Sequence, residues 1–235
     1  MSGQEFPDAA ALCEHIASRY DTVILSFSRG KDSIAAWAHL IRYGLKVVPV
    51  HLYLVPGVSF VEDSLRHYEA HFETDIINLP HPSLFRWLRN FTFQAPENLR
   101  IIEQMRLRLW DYDQLFAWVR REQGLSGDTP VAVGVTMYDS PNRRASIKRH
   151  GPYNRRRQQF YPVFDWDRAS VLEACEGPGL PVDYRMFGRS WDGLDYRFLK
   201  PIHDHYPADY RRILDIFPLA EIELLRMKWR WSNSN

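Results

Sequence analysis

The segment from residue 21 to residue 41 constrains the fold of this chain most, because it joins a strand pattern to a helix pattern through a short polar loop. The run from Asp21 to Leu25 is short, largely apolar and β-branched, which is typical of a buried parallel strand. The positions that follow at the spacing of one helix face are Ile34, Trp37, Ala38 and Ile41. A loop between a strand and a helix gathers free backbone N–H groups at the positive end of a helix dipole. The sequence therefore predicts an anion-binding site at residues 26–33.

The side chains of this loop fit a phosphate group. Gly30 allows the backbone to approach an anion closely, Ser28 and Ser33 offer hydroxyl donors, and Lys31 adds a positive charge. Asp32 is unfavourable beside a phosphate unless a cation lies between the two groups, and magnesium would serve. The loop is thus predicted to bind a magnesium nucleotide, with Asp32 facing the metal.

The loop is not a Walker A motif, because Leu25 stands where the first glycine should be and Asp32 follows the lysine in place of Ser or Thr. The stretch Ser26-Phe27-Ser28-Arg29-Gly30-Lys31-Asp32-Ser33 instead resembles the pyrophosphate loop S-x-G-G-K-D-S, with Arg29 in place of its first glycine. The chain therefore resembles the PP-loop ATP pyrophosphatases, and among them the phosphoadenosine phosphosulfate (PAPS) reductase family.

A second buried strand is predicted from Lys46 to Tyr53, which completes a βαβ unit. After it, the reductase family carries D-T-G-x-x-F-P-E-T, and this chain matches that pattern at Gly57, Phe60 and Glu62 but has Val55 in place of the aspartate. A glycine here would let a flat base or ribose lie against the backbone at the ligand edge of the sheet. A plain turn explains the same residues equally well.

A third short strand is predicted from Thr74 to Leu79. A further strand, from Pro130 to Val135, leads into a segment that resembles the family pattern G-x-R-x-x-E-S-x-x-R. The matching residues are Gly134, Asp139, Ser140 and Arg143. Thr136 replaces the first arginine, and threonine cannot supply a charged fork to a sulfate or a 3′-phosphate. The resemblance implies a nucleotide and pyrophosphate site made of Ser26, Ser28, Arg29, Gly30, Lys31, Asp32, Ser33, Gly57, Gly134, Asp139 and Ser140. It implies catalytic roles for Lys31, Asp32 and Arg143.

A basic segment follows, since no carboxylate occurs between Ser140 and Phe164. Its seven positive charges are Arg143, Arg144, Lys148, Arg149, Arg155, Arg156 and Arg157. Gly151-Pro152 breaks any helix there, so we predict a flexible cationic loop that closes over a polyanionic substrate. The last six of these residues are candidate acceptor contacts, and a nucleic acid is one candidate acceptor. A solvated surface run is the alternative.

Composition limits the remaining options. The chain has 235 residues and a net charge of +1, which predicts no general affinity for nucleic acids or membranes. Its first residues do not form a signal peptide, so we expect a cytoplasmic protein. Its two cysteines, Cys13 and Cys175, cannot hold an iron–sulfur cluster with four thiolates, and both lie on apolar helix faces. The reductases end in E-C-G-x-H, whereas residues 231–235 here contain no cysteine.

The resemblance implies an adenine nucleotide alpha-hydrolase-like fold, which is a Rossmann-like, mostly parallel α/β sheet with helices on both faces. We expect a nucleotide-binding domain at 1–165 and a mostly helical extension at 166–235. The implied activity is cleavage of ATP between the α and β phosphates, with magnesium, to adenylate an unidentified acceptor. Reduction of PAPS or adenylyl sulfate, and non-catalytic binding of a nucleotide or nucleic acid, are the alternatives. The oligomeric state stays open, with a homodimer as one option.

Overall fold

The computed structural model describes residues 6–226. The first five and the last nine residues lie outside the described residues, and with them the tail at 231–235 discussed above. The strands are β1 (Thr22–Ser26), β2 (Lys46–Tyr53), β3 (Ile77–Pro80), β4 (Val131–Val133), β5 (Tyr153–Asn154) and β6 (Gln159–Phe160). The helices are α1 (Ala9–Ala17), α2 (Lys31–Ile41), α3 (Ser59–Phe72), α4 (Pro82–Arg89), α5 (Pro96–Met105), α6 (Tyr112–Glu122), α7 (Pro141–His150), α8 (Arg168–Ala174), α9 (Val182–Phe187), α10 (Tyr196–His205) and α11 (Pro207–Ile216), followed by a 3₁₀ turn at Pro218–Glu221.

The strands form one sheet in the order β3-β2-β1-β4-β6-β5. β1 pairs in parallel with β2 and with β4, and β4 pairs in parallel with β6. β5 runs antiparallel beside β6. A mostly parallel sheet whose strands are connected through helices confirms the predicted Rossmann-like α/β fold.

The sheet has a topological switch point between β1 and β4. From β1 the chain continues outward through β2 and β3 on one side, and it starts the other side at β4. Ligands of open α/β sheets bind in the crevice outside the carboxyl ends of the strands at such a point. The loop at 26–33 follows β1, and the second motif, at 134–143, follows β4. The topology therefore brings both motifs to the same edge of the sheet.

Phe27 anchors the start of the loop in the core. Its side chain is almost fully buried and packs edge-on against Trp37 and Tyr68, with ring centroids 5.1 and 5.3 Å away. Its backbone N–H donates to the carbonyl of Val50 at 2.8 Å, and its carbonyl lies 2.9 Å from Nδ1 of His51. Since both backbone groups and the ring are held by β2 and by helices, the loop leaves the sheet in a fixed direction.

The chain divides into two structural units that interleave along the sequence. The first comprises the chain up to His51, Leu65–Asn78 and Tyr112–Pro181. The second comprises Leu52–Ser64, Leu79–Asp111 and the chain from Val182. This division does not coincide with the expected boundary at 165/166, because segments that follow β2 and β3 belong to the second unit and α8 belongs to the first.

The second unit has its own buried polar contacts. The carboxylate of Asp209, which is 2% exposed, accepts hydrogen bonds from the backbone N–H of Ser59 at 2.8 Å and from its hydroxyl at 2.6 Å. The side chain of Gln94 donates to the carbonyl of Ile216 at 2.8 Å. These contacts fix the start of α3 and the end of α11.

None of the helices within residues 6–226 combines the length and the hydropathy that crossing a membrane requires.

Candidate nucleotide site

The loop between β1 and α2 is built around the backbone of Gly30. Gly30 precedes α2 in an extended conformation, and its carbonyl accepts from the N–H groups of Ser33 and Ile34 at 3.0 and 3.1 Å. The hydroxyl of Ser33 donates to the same carbonyl at 2.8 Å, and the hydroxyl of Ser28 donates to Ser33 at 3.1 Å. The predicted hydroxyl donors therefore shape the loop itself. The backbone N–H groups of Lys31 and Asp32 precede the first i→i−4 bond of α2, so these two N–H groups are the candidate anion-binding element of the loop.

Arg29 explains why the PP-loop pattern has glycine at this position. Its backbone φ is +62°, a left-handed conformation that costs a non-glycine residue on the order of 1 kcal/mol. Its side chain is only 1% exposed, so the guanidinium lies inside the first unit and not on the open side of the loop. The structure thus places Arg29 beneath the loop, whereas the sequence predicted a direct anion contact.

Four side chains from the two motifs form a chain of alternating charge. Lys31 Nζ lies 2.5 Å from Asp32 Oδ1 and 3.9 Å from Asp139 Oδ1. The other oxygen of Asp139 accepts from Arg143 Nη1 at 2.9 Å. Lys31, Asp32 and Asp139 are each about one-fifth exposed, and Arg143 is about half exposed. Residues far apart in sequence therefore meet at the carboxyl ends of β1 and β4.

The pKa of Asp32 is raised above its usual range. Burial is the main cause, the charge of Asp139 adds to it, and the hydrogen bond and charge of Lys31 oppose it. A further cation near such a partly buried carboxylate would stabilise its charged form.

Gly134 permits the close approach of the two motifs. A Cβ atom at this position would lie 2.5 Å from the carbonyl carbon of Asp32, 2.5 Å from the backbone nitrogen of Ser33 and 2.6 Å from the Asp32 carbonyl oxygen. Real Cβ atoms essentially never come so near to backbone atoms. Gly134 was predicted as a nucleotide contact, and its observed role is to let the end of β4 pack against the first turn of α2.

The segment after β4 is a capped turn that leads into α7. Thr136 is buried; its N–H donates to Asp139 Oδ2 at 3.2 Å, and its hydroxyl oxygen accepts from the N–H of Tyr138 at 3.3 Å. The hydroxyl oxygen of Ser140 caps α7 by accepting from the N–H of Arg143 at 3.2 Å. Thr136 and Ser140 therefore hold Asp139 and Arg143 in place, although Ser140 was predicted as a nucleotide contact.

Gly57 belongs to the second unit, where Arg212 covers it. A guanidinium nitrogen of Arg212 donates to the Gly57 carbonyl, and a Cβ atom at Gly57 would lie 2.8 Å from that nitrogen. The backbone φ of Gly57 is +70°, which glycine adopts at little cost. A base or ribose stacked on Gly57 would have to displace Arg212, so the turn interpretation describes this structure better.

The basic segment is not the flexible loop that the sequence predicted. Residues up to His150 form α7, with Pro141 in its first turn and Ile147 buried, and Gly151 ends the helix at a φ of +78°. The remaining arginines lie in the hairpin between β5 and β6. The turn of this hairpin is held by hydrogen bonds from the N–H of Arg157 to Asn154 Oδ1 at 3.1 Å and from Gln158 Nε2 to the carbonyl of Arg155 at 3.0 Å. The candidate acceptor residues Arg144, Lys148, Arg149, Arg155, Arg156 and Arg157 thus divide between the helix and the hairpin.

A pocket of about 470 Å³, which the sequence did not predict, lies beside the loop in the first unit. It is lined by Ser26, Tyr112, Asp113, Phe116, Arg120, Gly127, Val131, Val133, Arg156, Arg157, Gln158 and Gln159. These residues come from β1, α6, the turn between α6 and β4, β4 and the hairpin. The pocket joins the first residue of the loop to two of the candidate acceptor arginines.

Both thiols are buried and lack the environment of a nucleophile. Cys13 Sγ contacts the carbonyl of Pro162, and burial raises the pKa of this thiol to about 12. Cys175 Sγ donates to the carbonyl of Lys31 at 3.3 Å, and burial and the charge of Asp32 raise its pKa to about 11. Their burial is as predicted. A reactive cysteine needs a lowered pKa and some exposure, which neither residue has.

No group of three or more metal-ligating side chains occurs among the described residues. Magnesium bound to a nucleotide does not need one, since it is held by one or two carboxylates together with phosphate oxygens and water. Asp32 and Asp139 are both within reach of Lys31 and supply such a pair.

No protein-family model matches this sequence, and no curated protein matches it significantly. Among solved structures, the chain is similar to the NH3-dependent NAD synthetase from Campylobacter jejuni subsp. jejuni NCTC 11168 in complex with the nitrate ion. The two are 14% identical over 93% of this chain and 92% of that chain, with a TM-score of 0.44.

Proposed function

We propose that this protein is a PP-loop enzyme that binds ATP with magnesium and cleaves it between the α and β phosphates to adenylate an acceptor. The observation that carries the proposal is the meeting of Lys31 and Asp32 with Asp139 and Arg143 at the switch point of the sheet. Two motifs that resemble the same family in sequence thus share one charged cluster beside a helix N-terminus. A plain strand-to-helix turn would not need this second partner.

The chemistry assigned to these residues is electrostatic and positional. The N–H groups that open α2 and the ammonium of Lys31 would hold the β and γ phosphates and stabilise the charge that develops on the leaving pyrophosphate. Arg143 lies beside Asp139 and would contact the phosphate that receives the attack. Lys31 would exchange its carboxylate partners for the phosphate, and Asp32 and Asp139 would be the carboxylates that hold the magnesium ion of the nucleotide. A bound magnesium ion would neutralise part of the negative charge on the phosphates.

The two alternatives predict different observations. PAPS or adenylyl sulfate reduction requires a nucleophilic thiol, and the burial and raised pKa values of Cys13 and Cys175 oppose it. A non-catalytic binder would hold ATP without changing it. Product analysis therefore separates the proposed enzyme from both alternatives.

The test is ³¹P NMR of ATP and magnesium incubated with the protein. We expect AMP and pyrophosphate, released slowly when water is the acceptor, because the loop holds the β and γ phosphates as one leaving group. The matched control for Lys31→Ala is Lys46→Ala, since Lys46 is exposed and pairs with Thr22 at the opposite end of β1. Lys31→Ala should lose pyrophosphate release and Lys46→Ala should retain it. ADP and phosphate as products, or equal rates in both variants, would contradict the proposal.

A further inference from the structure

The pocket beside the loop has the size and the position of a substrate site. Its volume of about 470 Å³ lies within the range of roughly 300–1,000 Å³ that is usual for small-molecule sites. Ser26 lines it and is also the first residue of the loop, at the carboxyl end of β1. The part of a bound molecule nearest Ser26 would therefore lie next to the loop.

Part of the pocket lining is apolar. Val131 and Val133 alternate along β4 and so face the same side of the sheet, and Ser26 pairs with Val133 in register. The helix α6 adds Phe116, which is 8% exposed, and Tyr112, which is 49% exposed, to the lining. Aromatic and branched side chains in this arrangement suit a planar ring system.

The charged part of the lining is mostly positive. It consists of Arg120, Arg156, Arg157 and the single carboxylate of Asp113. Arg120 already forms a hydrogen bond within the protein, from its Nε to the carbonyl of Thr129 at 2.8 Å. Arg157 pairs with Asp113 at 3.6 Å, but both side chains are more than half exposed, and such pairs contribute little. An anion with two oxygens could take the place of Asp113, since a guanidinium binds carboxylates and phosphates through two parallel hydrogen bonds.

We propose that this pocket binds the acceptor, and that the acceptor is a small molecule in which a planar ring carries a phosphate or a carboxylate. The acceptor role rests on the proposed function, whereas binding of the anion does not. An anionic oxygen of the acceptor forms a bond to the α phosphorus of ATP, the bond from that phosphorus to the α,β-bridging oxygen breaks, and pyrophosphate leaves with the bonding electrons. Such an oxygen carries no proton to be removed, so the step needs no general base.

A small acceptor fits these observations better than a polynucleotide does. Arg156 and Arg157 line a concave pocket together with apolar groups, whereas a groove that follows a nucleic-acid backbone would present cations along its length. The basic residues of α7, including Lys148 and Arg149, do not line the pocket. They therefore provide a control of similar charge in the same unit.

Two glycines offer a second pair of matched variants. Gly127 lines the pocket, and a Cβ atom there would have no atom within 4 Å. Gly177 lies in the same unit away from the pocket, and a Cβ atom there is equally unhindered. Neither residue has a left-handed backbone. Gly127→Trp should therefore add a ring at the pocket without a clash at its Cβ atom, and Gly177→Trp should test the effect of an added surface ring alone.

The experiment titrates the protein, without ATP, with phenyl phosphate, benzoate, inorganic phosphate and a single-stranded oligonucleotide. The first two distinguish phosphate from carboxylate on a ring. We expect at least one of them to bind more tightly than inorganic phosphate. We also expect the affinity to fall about tenfold or more in two pocket variants. Gly127→Trp removes space from the pocket, and Arg156→Ala with Arg157→Ala removes charge-assisted hydrogen bonds to the anion. Gly177→Trp and the double variant Lys148→Ala with Arg149→Ala should bind as the unchanged protein does.

Three results would overturn the inference. No binding of either ring-bearing probe at millimolar concentration would refute the pocket as an anion site. Equal losses in the pocket variants and their controls would do the same. Binding of the oligonucleotide alone, weakened as much by the Lys148 and Arg149 changes, would assign the arginines to a nucleic-acid surface. If a probe binds as expected but ATP stays uncleaved, the acceptor role and the proposed function fail while the anion pocket stands.

Discussion

Gly134→Ala is the substitution that should disturb the site most for the smallest chemical change. The new methyl carbon would lie 2.5 Å from two backbone atoms of the first turn of α2, whereas ordinary contacts of a Cβ atom begin near 3.4 Å. The end of β4 and the start of α2 must therefore separate by about 0.9 Å, since backbone cannot rotate aside as a flexible side chain can. Lys31 and Asp139 are carried by these two segments, so their 3.9 Å approach should lengthen with it.

The magnitude follows from this displacement. Forcing an extra methylene into a packed site costs about 1–3 kcal/mol, and we expect the upper half of that range because the clash involves two segments of main chain. A misplacement of about 1 Å at a positioned catalytic group lowers a rate by about 100-fold. We therefore predict a loss of about 2–3 kcal/mol in the free energy of unfolding. We also predict that the rate of pyrophosphate release by the folded protein falls about 100-fold.

Urea denaturation and a coupled pyrophosphate assay on the folded protein measure the two effects separately. Gly177→Ala is the control, because its Cβ atom meets nothing and its backbone is not left-handed. The control should match the unchanged protein in both measurements. A Gly134→Ala protein with unaltered stability and activity would refute the reasoning, and so would an equal loss in Gly177→Ala.

Three further predictions concern Lys31, the two cysteines and His39. Lys31→Ala should cost about 2–4 kcal/mol of transition-state stabilisation, measured as kcat/KM for pyrophosphate release, and an unchanged value together with unchanged ATP affinity by calorimetry would end the PP-loop interpretation. Cys13→Ser with Cys175→Ser should keep nucleotide binding and most activity while losing about 1–3 kcal/mol of stability, whereas a folded double variant without activity would revive a thiol mechanism. Burial lowers the pKa of His39 to about 4 from 6.5, so the unfolded chain takes up the proton first and the free energy of unfolding should fall by about 2–3 kcal/mol as the pH falls from 6.5 to 4. His39→Phe should flatten that part of the pH profile in urea titrations, and an identical slope in both proteins would contradict the assignment.

The sequence predicted the strands that are buried on both sides. β2 was predicted from Lys46 to Tyr53 and has those bounds, and the strand before the loop is displaced by a single residue. Such strands are continuous apolar runs, which single-sequence patterns describe well. The strand-loop-helix order then fixed the place of the loop, and the sheet topology agrees with it.

The sequence did not predict α7 or the β5–β6 hairpin. Within α7 only Ile147 is buried, so no apolar stripe reveals a helix, and its start depends on the capping of Arg143 N–H by Ser140. Each hairpin strand has two residues, too few for a visible alternation. Charge dominated the pattern of the whole segment and suggested a mobile loop where there is regular structure.

The site itself was predicted in part. Resemblance to a family placed Asp139 and Arg143 in a site with Lys31, which periodicity alone could not do because the contact is long-range. The roles of Gly134 and Arg29 could not be predicted, since they depend on a close approach and on a left-handed backbone that only the folded chain reveals. The pocket was missed because its lining comes from five separate segments.

A crystal structure with magnesium and α,β-methylene ATP, which resists cleavage at the proposed bond, tests the central claim most directly. The account predicts the β and γ phosphates on the N–H groups that open α2, with Lys31 Nζ moved from Asp32 to a phosphate oxygen. It also predicts the metal beside the Asp32 carboxylate and the α phosphate facing the pocket that Ser26 lines. A nucleotide bound elsewhere, with the Lys31–Asp32 pair intact and the loop empty, would contradict it.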